Sequence, residues 1–289
     1  MARNISLHKT TLCGSRISNE DVEKYNMNLS INGTCFNPNY APVDLFIICD
    51  GHGGNEVATF VVPELEKMLI NKNLIYPLKR PYILKIYNYI QDKLKNHPNN
   101  IAKKCGCTSL VVIRYLDVTN KHCLQVINSG DCRVVVSRRG FAIPLSKDHK
   151  PHWSEEKMRI DEVNKQYGTN KLVHFNAGDW RIGDLSVSRS FGDLDNTPYV
   201  SHLPEIFNYM LMAGDEFIVL ACDGIWDVLE NHEVINFVRD HLYDNHTYMY
   251  HQHETSGSKN IARLLADYAL SKGSMDNISV MIVFFEKKV

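Results

Sequence analysis

The sequence predicts an α+β fold built on antiparallel sheets, and three observations predict it. Apolar runs rich in aromatic and β-branched residues recur along the 289 residues, most clearly at 45–49, 217–222 and 278–285. Several connections between strand-like runs are short, which hairpins allow and parallel crossovers do not. Helical patterns are few and do not alternate with strands, so the βα rhythm of a parallel sheet is missing.

Residues up to Asn32 hold one or two short strands. Gly33, Pro38, Asn39 and Pro42 mark a loop into Leu45-Phe46-Ile47-Ile48-Cys49, which reads as a buried strand. Val57, Phe60, Val61, Leu65, Met68 and Leu69 share one face of a helix over 55–71, and Pro63 is expected to kink or divide it. A second helix starts at Pro81, a residue tolerated in a first turn, with Ile83, Ile86, Ile90 and Leu94 on one face. Strands follow at 108–115, 123–128, 133–137 and 141–145, with turns at 117–121, 129–131 and 138–140. Ser154 reads as an N-cap before the acidic turn Glu155-Glu156, opening a helix to about Gln166. Residues 167–196, rich in Gly, Asn and Asp, read as irregular. Helices return at 231–242 and 258–272, and the run 278–285 is the last strand.

The bulk numbers describe a globular chain, with 44% hydrophobic and 22% charged residues. The 32 basic and 33 acidic residues nearly cancel, which gives no support to nucleic-acid or polybasic membrane binding. No apolar stretch approaches the ~20 residues that span a bilayer. The first nine residues lack the apolar core of a signal peptide. Eight cysteines without a C-x-x-C pair suggest a reducing compartment. The expected location is therefore the cytoplasm, with the nucleus as the alternative.

Chemistry concentrates where apolar runs end. Asp50-Gly51-His52-Gly53-Gly54 closes the first run, and Asp223-Gly224 closes the run at 217–222. Asp276-Asn277 precedes the last run. If the last two strands are antiparallel, their Asp residues share a sheet edge. Carboxylates gathered there repel one another unless a cation lies between them. An all-oxygen donor set favours Mg²⁺ or Mn²⁺ over zinc. Taken singly, an Asp-Gly is a plain turn; their recurrence at strand ends reverses that preference. The histidines 241, 246, 251 and 253 lack metal-ligand spacing and read as a solvated helix end and loop.

These motifs, in this order, resemble the metal-dependent protein serine/threonine phosphatases of the 2C type. Arg16-Ile17-Ser18-Asn19-Glu20-Asp21 is similar to the family's opening motif, and Asp50-Gly51-His52-Gly53-Gly54 to its best-known signature. Gly106-Cys107-Thr108, Asn128-Ser129-Gly130-Asp131-Cys132-Arg133 and Lys147-Asp148-His149-Lys150-Pro151 follow. Leu185-Ser186-Val187-Ser188-Arg189-Ser190-Phe191-Gly192-Asp193, Asp223-Gly224-Ile225-Trp226-Asp227 and Asp276-Asn277 complete the set. Asn19 and Cys132 depart from the usual Met and Ser.

The resemblance implies one catalytic domain over 1–289, with an inserted flap at about 151–197. It implies a central β-sandwich of two mostly antiparallel sheets flanked by helices, a four-layer αββα arrangement. Two Mg²⁺ or Mn²⁺ ions are expected, with Asp50 bridging both. Asp223 and Asp276 would bind one ion; the Gly51 carbonyl and Glu20 would serve the other. Asp21 would orient the attacking water, and Arg16 would clamp phosphate oxygens in a bidentate fork. His52 is expected to protonate the leaving alkoxide, the alternative being a His that caps its turn. Asp131, with Asp223, is expected either to hold a weaker third ion or to be a β-turn Asp. His149 reads as structural, and Trp180 as packing within the flap. The expected activity is hydrolysis of phosphoserine and phosphothreonine in phosphoprotein substrates, by a monomer. A pseudophosphatase scaffold and a hydrolase of small phosphate esters are the competing readings.

Overall fold

The computed structural model describes residues 5–29, 41–176, 178–242 and 260–285. Two five-stranded antiparallel sheets form its centre. The first runs β1 (Ile5–Leu12), β15 (Ile278–Phe285), β14 (Asp215–Ala221), β8 (Arg133–Arg138), β9 (Phe141–Pro144). The second runs β13 (Glu205–Met210), β7 (His122–Ser129), β6 (Ser109–Leu116), β3 (Asp44–Cys49), β2 (Val22–Met27). A small sheet orders β12 (Phe191–Gly192), β5 (Gly106–Cys107) and β4 (Gly51–His52), and β10 (Val173–Asn176) pairs with β11 (Asp179–Ile182).

Period-2 alternation sends each central strand's side chains to two different cores. Phe46, Ile48, Leu110, Val112, Val134, Leu220 and Met281 pack between the sheets. Leu45, Ile47, Val111 and Ile113 face outward and are covered by α1 (Glu56–Leu69) and α2 (Arg80–Lys95). Phe217, Val219, Val280 and Ile282 face the other way, under α5 (Asn231–Leu242) and α6 (Ile261–Ser271). Both faces of each sheet are therefore buried, which is why these strands read as unbroken apolar runs. Each fully buried Leu, Ile or Val contributes roughly 1.5–3 kcal/mol of transfer free energy. The expected helix–sheet–sheet–helix layering is the observed one.

Several expectations need correction. Pro63 does not divide α1, which is continuous over Glu56–Leu69. Pro63 and Thr59, whose carbonyl loses its helical partner, both lie on the exposed face, where water can satisfy that oxygen. Ser154 is the first residue of α3 (Ser154–Tyr167), not its cap; Trp153 holds that position without a side-chain bond. Residues 167–196 are not wholly irregular, since they contain the β10–β11 hairpin and β12. Strand β13 has no counterpart among the expected elements. It is an edge strand on which only Ile206 and Tyr209 are even partly buried, so it lacks an apolar run.

Helix α6 starts at Ile261, where Asn260 caps it by accepting the Arg263 N–H; Ser258, its expected start, lies outside the described residues. So do Gly33, Pro38, Asn39 and Cys35, and histidines 246, 251 and 253. His241 stacks on Phe237 at 4.1 Å between centroids and bonds that residue's carbonyl. The seven described cysteines are free. Among the described residues no helix is long and apolar enough to cross a membrane.

Candidate active site

Strand ends from both sheets deliver carboxylates to one end of the sandwich. Asp50 follows β3, and Asp21 precedes β2, whose Val22 pairs with Cys49. Asp223 opens the short helix α4 (Asp223–Trp226) just after β14, and Asp276 lies just before β15. The antiparallel register Ala221↔Val280 brings those last two together, as the strand argument expected. Asp131 sits in the β7–β8 turn and is 1% exposed. Ligand-type atoms of Asp21, Asp50 and Cys222 lie within 4.8 Å of one another.

The electrostatics of this cluster are unfavourable as it stands. Burial, then Asp223, Asp21, Asp131 and Asp276, hold the Asp50 carboxyl well above the usual carboxylate range. Asp223 is raised by burial and by Asp131 and Asp227, against the opposing charge of Lys150. Burial pushes Asp21 up to about 6, and Asp276 adds to the effect. Ser279, Cys222 and Asp50 lie near enough to Asp21 to oppose that rise, yet both Asp21 oxygens and one Asp223 oxygen are buried with no hydrogen bond of ordinary geometry among the described residues. Buried oxygens of this kind are costly unless something pairs with them. Hard-cation chemistry fits this donor set, because oxygen donors dominate it and several lack an ordinary hydrogen bond. Cys222 does not change that reading: burial, Asp21 and Asp50 raise its pKa well above normal, which keeps it a thiol. Its Sγ accepts the Ser279 N–H at 3.1 Å.

Asn277 ties the Arg16–Asp21 segment to this end of the sheets. Its Oδ1 accepts the Glu20 N–H at 2.8 Å, and its Nδ2 donates to the Cys13 and Ser18 carbonyls at 2.8 and 2.9 Å. Glu20 Oε2 accepts the Gly54 N–H at 3.1 Å. A Cβ on Gly51 would come within 2.3 Å of the Glu20 carbonyl oxygen, so glycine is required there. Arg16 Nη2 donates to Asp276 Oδ2 at 2.6 Å, with 58% of its side chain exposed. Thr108 Oγ1 accepts the Asp50 N–H at 3.0 Å and meets Cys132 Sγ at 3.2 Å, so the thiol that replaces the usual Ser has a partner.

Two neighbours were quoted in motifs but given no role from sequence. Lys150 Nζ donates to Asp131 Oδ2 at 2.6 Å. Burial alone would lower its pKa, but Asp131, Asp223 and Asp227 raise it, so the ammonium is held charged. Asp193 Oδ2 lies 2.7 Å from His52 Nε2. Burial disfavours the imidazolium, yet the Asp193 bond and charge, then Asp131 and Glu20, leave the His52 pKa raised. Both partners are remote in sequence from what they touch, and only the recurring motifs could have flagged them. His149 ties loops, as read: its Nδ1 accepts the Gly130 N–H at 3.1 Å.

The segment over 151–197 is organised around Glu156, which is 3% exposed. Its carboxylate takes Arg159 at 3.0 Å, the Ser188 hydroxyl at 2.7 Å, and Arg189 through Nε at 2.9 Å. Burial would raise its pKa, but these cations and the hydroxyl push it down to about 2. Trp180 packs within the segment, stacked on His152 and edge-on to Phe175.

This architecture is that of solved serine/threonine phosphatases. A Toxoplasma gondii serine-threonine phosphatase 2C superposes with TM-score 0.68 at 20% identity, over 99% of this chain and 95% of that one. The structure of the S. agalactiae serine/threonine phosphatase gives TM-score 0.66 at 21% identity, over 98% of this chain and 100% of that one. The family model "Protein phosphatase 2C" matches residues 5–278, and the chain belongs to that family of serine/threonine protein phosphatases. It is 34% identical over 277 residues to "Probable protein phosphatase 2C 69" of Arabidopsis thaliana, covering 95% of this chain and 69% of the relative. A second Arabidopsis thaliana relative, "Probable protein phosphatase 2C 11", is 32% identical, and the match spans 66% of its length. Over 171 residues, 57% of this chain, identity reaches 63% with "PP2C-like domain-containing protein R307" of Acanthamoeba polyphaga mimivirus, 96% of which is covered.

Proposed function

We propose that the chain hydrolyses phosphoserine and phosphothreonine monoesters at the Asp21–Asp50–Asp223 end of the sandwich, with two Mg²⁺ or Mn²⁺ ions. The observation that carries this is the set of buried, mutually repelling carboxylates, three of whose oxygens have no hydrogen bond of ordinary geometry. Asp50, Asp223, Asp276, Glu20 and the Gly51 carbonyl would hold the ions, and Asp131 would contribute to a weaker third. Bound there, the ions supply charge neutralisation for the phosphate dianion and acidify a water nucleophile.

The chain's own groups do the rest. Arg16 swings its guanidinium from Asp276 to the phosphate as a bidentate fork. Asp21 accepts a hydrogen bond from the attacking water. His52 gives a proton to the leaving oxygen, a contribution of roughly 10²–10⁴ in rate. The 151–197 segment borders the site as a flap within one catalytic domain over 1–289. Phosphoproteins are the expected partners of a monomer. The test is phosphopeptide hydrolysis with Mn²⁺, with Mg²⁺ and with EDTA, alongside melting curves of the same samples. Activity and a metal-induced rise in Tm should appear together and vanish together with EDTA. Full activity in chelated protein would sink the reading.

A further inference from the structure

We propose that Asp193 is a positioning residue: it holds the His52 imidazole through Nε2, leaving Nδ1 to deliver the proton to the departing serine or threonine oxygen. This rests on the reading of His52 as the proton donor. The contact is a short 2.7 Å bond to a carboxylate that is 1% exposed. The surrounding chain is shaped to make it. A Cβ on Gly106 would come within 2.1 Å of Asp193 Oδ2 and 2.6 Å of His52 Nε2, so a glycine is needed beneath the pair. Asp193 adopts φ +47, a left-handed conformation that Asp and Asn tolerate better than other side chains.

Asp193 is anchored from three sides, through its own backbone, its neighbour Gly192 and its carboxylate. The Asp193 N–H donates to the Cys105 carbonyl at 3.2 Å. Gln91 of α2 clamps Gly192 reciprocally, accepting its N–H and donating to its carbonyl at 2.9 Å each. The Ser190 hydroxyl donates to the same Oδ2 that meets His52. A carboxylate fixed this firmly fixes the ring it bonds. Orienting partners of this kind set which ring nitrogen reacts.

In the reaction so arranged, water forms the new P–O bond as the bond to the substrate oxygen breaks. That oxygen keeps the electron pair and takes the proton from Nδ1. His52 is left neutral, still donating Nε2–H to Asp193, which stays ionised throughout. The proton lost by water restores His52, so each turnover consumes one water and no other reactant.

The test is a cycle of His52→Gln, Asp193→Asn and the double variant. Each is assayed on a phosphoserine peptide and on p-nitrophenyl phosphate, whose phenolate leaves without a proton. Asn keeps the left-handed backbone but removes the charge, leaving at best a weaker, neutral acceptor for Nε2–H. D193N should lower kcat on the peptide about 10²-fold, with KM within about twofold, and cost under about threefold on p-nitrophenyl phosphate. The double variant should lose no more on the peptide than H52Q. Ser190→Ala, which loosens Asp193 and leaves its backbone conformation alone, should shift the peptide rate the same way by a smaller factor. Equal losses on both substrates for D193N, or additive losses in the double variant, would overturn the proposal. If H52Q itself loses equally on both substrates, the underlying reading of His52 fails instead. If H52Q discriminates and both D193N and S190A do not, only the positioning role fails.

Discussion

Glu156 and Asp21 are both carboxylates withdrawn from water, and their acidities move in opposite directions. Glu156 is pushed down to about 2 because Arg159, Arg189 and Ser188 converge on it. Asp21 is pushed up to about 6, with Asp50 and Asp223 raised alongside it. Burial acts on both; the difference lies in what the surrounding chain supplies. Around Glu156 the protein completes its own charge balance, as a structural tie requires. At the sandwich end it leaves the balance open, which is the condition of a site awaiting a ligand.

The sharpest way to break this contrast is to delete a member of the open cluster. Asp50→Ala or Asp223→Ala should lower kcat more than about 10³-fold, since several kcal/mol of stabilisation are removed at a tenfold rate change per 1.36 kcal/mol. The metal-free variant should stay folded and melt no lower than wild type, because a repelling charge has gone. Wild-type turnover, or loss of the folded circular dichroism signal, would count against the assignment.

Glu156→Ala should do the reverse. It strands two guanidinium groups at a cost of about 3 kcal/mol, or roughly 5 °C in Tm for a chain of this size. A Tm shift under about 2 °C would show that Glu156 is not the tie described.

Acidity separates the regions again. Glu156 has a folded pKa below its ordinary 4.5, so its stabilisation is complete above that value and is lost as pH falls toward about 2. Asp21 has a folded pKa above its ordinary 3.8, so in chelated protein its burial costs nothing below that value. Stability should then decline as pH rises from about 4 to about 6, as Asp21 is forced to ionise. Mn²⁺ should flatten that decline and leave the acid limb of Glu156 unchanged. Denaturant unfolding across pH 2–7, with and without Mn²⁺, measures both limbs; a metal-sensitive acid limb would refute the separation.

The smallest effect belongs to Ser188→Ala, which removes one hydroxyl donor from Glu156 and should cost about 1–2 kcal/mol. A loss as large as that of E156A would mean that the hydroxyl, not the guanidinium groups, carries the tie.

How legible each region was follows from the range of its interactions. The Asp50 and Asp223 ends announced themselves because their strands are buried on both faces and therefore read as unbroken apolar runs. That Asp223 meets Asp276 depended on antiparallel pairing of those strands, which the runs left open and the register supplies. Strand β13 was hidden because an edge strand shares its burial with solvent. The Glu156 tie was hidden because its partners at 159, 188 and 189 meet only after the segment folds back. The local acidic pair Glu155-Glu156 signalled a helix start and nothing more. Asp193 carried a motif but no local pattern that names His52 as its partner, 141 residues away.

Strand β15 lies between β1 and β14, pairing with the first strand at Ile5↔Phe285 and with β14 at Ala221↔Val280. The strand latest in sequence among the described residues is thus an interior stave of its sheet. Until it arrives, β1 has no neighbour in that sheet and Asp276 cannot join the carboxylates contributed early in the chain. The centre is thus closed by pairing Ile5 with Phe285, opposite ends of the described chain, a non-local contact of the kind that forms slowly.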